Sequence, residues 1–276
     1  MKALMHAVIP LVREAGEAIL PFWRSNTQVI EKADASPVTE ADYAAHRVLA
    51  EGLKRIAPDI PVLSEEDCDI PLAERSAWTR WWLVDPLDGT KEFIAGTDEF
   101  TVNVALIEAG RVVFGVVGIP VGGTCFFGGD GMGAWRQDTP DAPASAIRVR
   151  QAPITEFEVV ASRRHGSEAQ ARLLDGLSAE VGGLSRVNVG SSLKFCLLAE
   201  GRADCYPRLA PTSQWDTAAA QGVLEGAGGE ILDAHGTPLR YDMRHDFLNP
   251  DFLALPKGVA WRDALVALAQ EATASR

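Results

Sequence analysis

Trp81-Trp82-Leu83-Val84 runs into Asp85-Pro86-Leu87-Asp88-Gly89-Thr90, so an apolar stretch ends in two carboxylates three residues apart, a glycine and a hydroxyl. The apolar residues read as a buried strand, which Pro86 and Gly89 then stop and turn. Two anions this close at the rim of a core are costly unless cations offset them, and no Lys or Arg stands between Arg80 and Lys91. Hard oxygen ligands select Mg²⁺ or Mn²⁺, and two carboxylates offset by a tight turn can bridge a pair of such ions. The same Asp-Pro-x-Asp-Gly wording also suits an Asx-rich turn that merely caps a strand.

Three further acids belong beside the pair. Glu65 follows the short strand Val62-Leu63, Asp216 opens a helical run in Gln214-Trp215-Asp216-Thr217, and Asp42 follows Thr39-Glu40-Ala41. Each has a structural reading of its own: an acid in a first helical turn complements the helix dipole, and Ser64-Glu65-Glu66-Asp67 suits a solvated loop.

The elements that must position these residues follow from periodicity. Leu4, Val8, Leu11, Val12, Ala15, Ile19 and Leu20 recur at helical spacing, which predicts an amphipathic helix of about five turns ending before Pro21. A second helix should start near Thr39 or Glu40 and end before Pro58, after the polar connector Glu31 to Pro37. Phe100 to Ile107 and Arg111 to Ile119 flank Glu108-Ala109-Gly110 as a hairpin, and Thr124 to Phe127 and Met132 to Arg136 continue an antiparallel sheet. Past the turn-rich segment Gln137 to Pro143, strands at 158–161, 186–189, 205–206 and 252–255 alternate with helices at 167–178, 191–200, 214–227 and 259–273. Such alternation predicts an α/β half, with the division expected at 1–140 and 141–276.

Composition bounds the function. A chain of 276 residues with a formal charge of −12 lacks the clustered Lys and Arg that hold a nucleic acid polymer, though local cations and bound metals can still receive a small phosphorylated ligand. Arg163-Arg164-His165 is too small a group for a nucleic-acid groove and reads as a solvated loop. Cys68, Cys125, Cys196 and Cys205 show no paired metal spacing, and the five histidines lack zinc patterns. Arg13, Glu14 and Glu17 interrupt the apolar start, so neither a signal core nor a transmembrane segment is expected there and a reducing cytoplasm is the simplest home.

In combination, Ser64-Glu65-Glu66, Asp85-Pro86-Leu87-Asp88-Gly89-Thr90 and Trp215-Asp216-Thr217-Ala218-Ala219 resemble the three signatures of the inositol-monophosphatase-like, metal-dependent, lithium-sensitive phosphatases. The resemblance spans nearly the whole chain, Pro37 to Asp42 included. It implies an α/β layered sandwich of αβαβα order, with a largely antiparallel N-terminal sheet and a C-terminal α/β half. Within that family, Asp88 to Ile94, Glu99 to Asn103, Gly190 to Cys196 and Tyr206-Pro207-Arg208 are most similar to the CysQ-like 3′(2′),5′-bisphosphate nucleotidase branch.

The resemblance implies roles residue by residue. Glu65, Asp85 and the Leu87 carbonyl would hold a first Mg²⁺, and Asp85, Asp88 and Asp216 a second, with a third, weaker ion near Glu65 and Mn²⁺ as a substitute. Thr90 with Glu65 would orient the attacking water, and Asp42 would tune its surroundings. Backbone N–H groups at Gly89 and Thr90 would meet phosphate. Gly190, Ser191 and Lys194, with Arg208, would line the leaving group, Lys194 or Arg208 meeting a second phosphate that a monophosphate lacks. Read without the resemblance, Gly190 to Lys194 is a strand-to-helix turn capped by Ser191 or Ser192, and Lys32, Lys194 and Arg208 are equally solvated charges.

The substrate so implied is adenosine 3′,5′-bisphosphate, hydrolysed to AMP and phosphate by direct attack of metal-activated water. Inositol 1-phosphate and histidinol phosphate are the alternatives that share the chemistry, and a non-catalytic phospholigand binder is the alternative that does not. The resemblance leaves a monomer or homodimer open, and peripheral association with the inner face of the cell membrane beside the cytoplasm.

Overall fold

The computed structural model describes residues 1–25, 29–31, 37–153, 155–161 and 167–274. Lys32 and Arg163-Arg164-His165 lie outside the described residues. Helix α1 (Lys2–Ile19) turns Met5, Val8, Val12, Ala15 and Ile19 inward, as its spacing requires. Strands β1 (Val29–Glu31) and β2 (Pro37–Thr39) pair antiparallel and lead into α2 (Glu40–Ile56). Thr39 is the N-cap of α2: its Oγ1 accepts from the Ala41 N–H, while Asp42 accepts from the Thr39 N–H in a capping box.

A seven-stranded sheet follows. It is built from β3 (Val62–Ser64), then, after the short α3 (Leu72–Arg75), β4 (Arg80–Asp88), and, after α4 (Thr90–Ile94), from β5 (Thr101–Glu108), β6 (Arg111–Gly118), β7 (Cys125–Gly129), β8 (Gly133–Gln137) and β9 (Ser145–Ala146), in that spatial order. β3 is parallel to β4 and every other neighbour is antiparallel. Alternation along β4 sends Trp82 and Val84 into the layer shared with α1 and α2, and Trp81 and Leu83 to the opposite face.

The C-terminal elements cover that second face. They are β10 (Phe157–Ala161), α5 (Glu168–Val181), β11 (Leu184–Asn188), α6 (Leu193–Ala199), β12 (Tyr206–Arg208), α7 (Trp215–Gly226), β13 (Gly229–Asp233), β14 (Phe252–Pro256) and α8 (Arg262–Ala274). Ala218, Ala219 and Val223 of α7 pack on Leu83, Ala105 and Ile107 of the sheet. β14 lies between β12 and β13, turning Phe252 and Ala254 toward α7, and Leu253 and Leu255 toward α5 and α8. The layers therefore run helix, sheet, helix, strands, helix.

One expectation is corrected. β4 does not end before Pro86 but continues to Asp88, with its register against β5 shifting between Asp85 and Asp88. A bulge removes the ladder position at which proline's missing N–H would matter, so the strand passes through it.

Candidate active site

Asp85 and Asp88 flank the bulge of β4, and the bulge sets their direction: the Leu87 N–H donates to Asp85 Oδ1 at 3.0 Å. Asp216 occupies the first turn of α7, where its Oδ2 accepts from the Ser213 N–H at 2.8 Å. Although Asp85 and Asp216 are 131 positions apart in the chain, carboxylate oxygens of Asp85, Asp88 and Asp216 lie within 4.8 Å of one another. Glu65 comes to the same end of the sheet because its N–H donates to the Val84 carbonyl at 3.0 Å. It lines one cleft with Leu87, Thr90, Ser213 and Asp216.

Electrostatics mark the cluster as incomplete without cations. Burial, then repulsion from Glu65, Asp88, Asp216 and Asp42, holds the Asp85 carboxyl well above the usual carboxylate range. Asp216 is raised in the same way, by burial and then by Asp88 and Glu65. Asp88 reaches about 6 through burial, opposed by the nearby Lys194 ammonium and the Ser192 N–H. An all-oxygen set this crowded fits a hard divalent cation, which would convert the repulsion into coordination.

Asp42 is 2 % exposed. Its Oδ2 accepts from both the Thr39 N–H (2.8 Å) and the Thr39 hydroxyl (2.7 Å), and its Oδ1 lies 3.4 Å from the Thr90 hydroxyl. Thr90 Oγ1 also sits 3.3 Å from the Leu87 carbonyl. One hydroxyl proton is thus shared between an outer carboxylate and a carbonyl beside the acid cluster.

The other wall of the cleft carries Gly89, Gly190, Ser191, Lys194 and Arg208. Gly89 adopts a left-handed φ of 92°, and a Cβ there would come within 3.0 Å of the Glu99 carbonyl, so the turn before α4 requires glycine. Lys194 and Arg208 are 6 % and 8 % exposed, which corrects the reading of either as a solvated charge. The Lys194 ammonium donates to the carbonyls of Ser191 (2.6 Å) and Val189 (3.3 Å), and burial lowers it to about 8 against the pull of Asp88. Arg208 donates to the carbonyls of Ala210 and Pro211, both at 3.3 Å.

Ser192 does not cap α6 with its side chain. Its hydroxyl donates to Asn103 Oδ1 at 2.9 Å and meets Thr101 Oγ1 at 2.8 Å, while its N–H donates to Asp88 Oδ2 at 2.5 Å. Thr101 and Asn103 therefore support Asp88, a role the motif reading missed. The available signal was two polar residues at alternate positions of a strand that is otherwise apolar up to its terminal Glu108.

The model of the inositol monophosphatase family matches residues 1–274. The chain is 46% identical over 252 residues to the 3′(2′),5′-bisphosphate nucleotidase CysQ of Shigella flexneri, covering 90% of this chain and 98% of that one. The protein of the same name from Escherichia coli K12 matches at the same identity and coverage. Among solved structures, CysQ from Bacteroides thetaiotaomicron, described as a bacterial member of the family, superposes with a TM-score of 0.82 at 37% identity, covering 93% of this chain and 98% of that chain. Thermotoga maritima IMPase shares the fold with a TM-score of 0.79 at 22% identity, covering 100% of this chain and 99% of that chain. With its motif acids gathered at one sheet end and these likenesses running nearly end to end, this chain belongs to the inositol monophosphatase family.

Proposed function

We propose that the chain is a divalent-cation-dependent 3′(2′),5′-bisphosphate nucleotidase, hydrolysing adenosine 3′,5′-bisphosphate to AMP and phosphate. The convergence of Asp85, Asp88 and Asp216 supports the reaction type. Likeness to nucleotidases over nearly their whole length supports the substrate. Asp85, Asp88, Asp216, Glu65 and the Leu87 carbonyl are the groups that would hold Mg²⁺, or Mn²⁺ in its place. Held there, divalent ions would supply charge neutralisation for the phosphoryl group and a lowered pKa for water near neutral pH.

The chain's own groups supply alignment. Thr90, held between Asp42 and the Leu87 carbonyl, orients the attacking water together with Glu65. The water oxygen forms the new P–O bond as the bond from phosphorus to ribose O3′ breaks; water gives up a proton and O3′ takes one. Lys194 and Arg208 retain N–H donors beyond their bonds to loop carbonyls, and they face the cleft with Gly190 and Ser191, where the 5′-phosphate needs cations. The four free cysteines suit a reducing compartment such as the cytoplasm. Among the described residues, no helix is long and apolar enough to cross a membrane.

The deciding experiment measures kcat/KM for adenosine 3′,5′-bisphosphate, inositol 1-phosphate and histidinol phosphate in parallel at saturating Mg²⁺. The bisphosphate should give the highest value, and EDTA should abolish turnover. A higher value for either other ester would overturn the nucleotidase assignment while leaving the metal chemistry intact.

A further inference from the structure

Asp216 reaches the cluster from α7, outside the strand that carries Asp85 and Asp88, so its placement depends on whatever fixes the first turn of that helix. The segment before that turn is held by a strap. The Gln214 N–H donates to the Phe247 carbonyl at 2.7 Å, the Asn249 N–H donates to the Thr212 carbonyl at 2.8 Å, and Ser213 bridges Leu248 antiparallel. Asn249 then reaches across with its side chain. Its Nδ2 lies 2.7 Å from the Ser213 carbonyl, 3.0 Å from Thr217 Oγ1 and 3.3 Å from Thr212 Oγ1.

These contacts bracket Asp216 on both sides. Asn249 is 8 % exposed, Thr217 1 %, and the Ser213 residue whose carbonyl it holds is the same residue whose N–H sets the Asp216 carboxylate. The amide orientation is dictated by its surroundings, since a flip would set the amide oxygen against the Ser213 carbonyl. Beyond Thr217 the bonding continues inside the fold. The Thr217 hydroxyl meets Tyr241 Oη at 2.9 Å, the Tyr241 hydroxyl donates to Gln221 Oε1 at 2.7 Å, and Gln221 Nε2 donates to Glu225 at 2.8 Å. Thr217, Gln221 and Glu225 recur every four residues, so one buried face of α7 is fixed from its first turn toward its end.

We propose that Asn249 is a positioning residue for the metal site: by tying Ser213 to Thr217 it fixes the backbone on either side of Asp216 and so sets the carboxylate for a divalent ion. The inference rests on the reading of Asp216 as a metal ligand. Outer partners that orient metal ligands change affinity by roughly 10–100-fold when removed, whereas a residue that only stabilises the fold leaves the affinity of the folded protein alone.

The test is Mn²⁺ titration of the full chain without substrate, followed by water-proton relaxation, for wild type, Asn249→Ala, Thr217→Val and Thr217→Ser. Asn249→Ala and Thr217→Val should raise the Mn²⁺ dissociation constant about tenfold. Thr217→Ser, which keeps the hydroxyl but loses the methyl, should stay near wild type. In turnover assays the half-saturating Mg²⁺ concentration should rise in the first two variants, with kcat largely recovered at saturating Mg²⁺. If Asn249→Ala does not fold, the Thr217 pair decides, because Val keeps the shape and Ser keeps the hydrogen bond. Weakened binding in Thr217→Ser with normal binding in Thr217→Val would indicate packing and overturn the proposal. Tight wild-type binding left unchanged by Asn249→Ala and Thr217→Val overturns it alone; no binding by wild type overturns the metal reading with it.

Discussion

Asp88 is held by the C-terminal half and by its own sheet, since the Ser192 N–H, the Thr101 hydroxyl and the Asn103 amide all reach its Oδ2. Asp88→Asn keeps the shape and removes the charge. Turnover should fall by more than the roughly 10–100-fold expected for losing an outer partner, with circular dichroism unchanged. Thr90→Val deletes the hydroxyl set between Asp42 and the Leu87 carbonyl, and kcat should drop about 10²-fold with little change in KM, as expected when a reacting water loses its alignment. The acids themselves were legible because their signatures are local: Asp85 and Asp88 sit three positions apart beside Gly89 and Thr90. Their supports were not. Ser192 meets Asp88 across 104 residues, and Asn249 meets Thr217 across 32, distances at which no local pattern records a partner.

At the scale of elements, the long periodic helices and the hairpin emerged within a few residues of their expected ends, because one buried face imposes its period on the sequence. The strand β13 (Gly229–Asp233) was not anticipated: two glycines precede Glu230, and its inward residues Ile231 and Leu232 belong to different core clusters. Pro86 misled for a related reason, since proline stops a regular strand but is tolerated at a bulge. The seat of α7 rests on small residues. A Cβ on Gly115 of β6 would fall 1.8 Å from the Ala219 carbonyl oxygen, and one on Gly222 of α7 would fall 2.4 Å from the Gly115 nitrogen. Gly115→Ala must therefore push α7 away from the sheet. It should cost about 1–3 kcal/mol in urea unfolding and, by displacing Asp216, raise the half-saturating Mg²⁺ concentration. Loss of stability with an unchanged Mg²⁺ requirement would show that the seat of α7 does not govern the metal site.

For the whole molecule, a metal ion held by the acid cluster, as proposed above, would couple its binding to folding. The Asp88 carboxyl rises from an ordinary 3.8 to about 6 in the fold, and Asp85 and Asp216 are held well above the usual carboxylate range, in each case chiefly by burial. Between those values the metal-free fold binds more protons than the unfolded chain. The stability these carboxyls contribute is therefore full below the unfolded value and is lost as pH rises through the folded one. Divalent ions bind the deprotonated form and reverse that loss, so the stabilisation by Mg²⁺ must grow over the same interval. Thermal unfolding in EDTA and in saturating Mg²⁺ should give a small difference in Tm at pH 5 and a larger one at pH 8. Asp88→Asn removes one of the repelling charges, so its metal-free form should melt above metal-free wild type at pH 8 while gaining less from Mg²⁺. A Mg²⁺ shift of equal size at both pH values would mean that the carboxylates gathered from β4 and α7 do not share their charge with an ion, since deprotonation and binding would then be independent events.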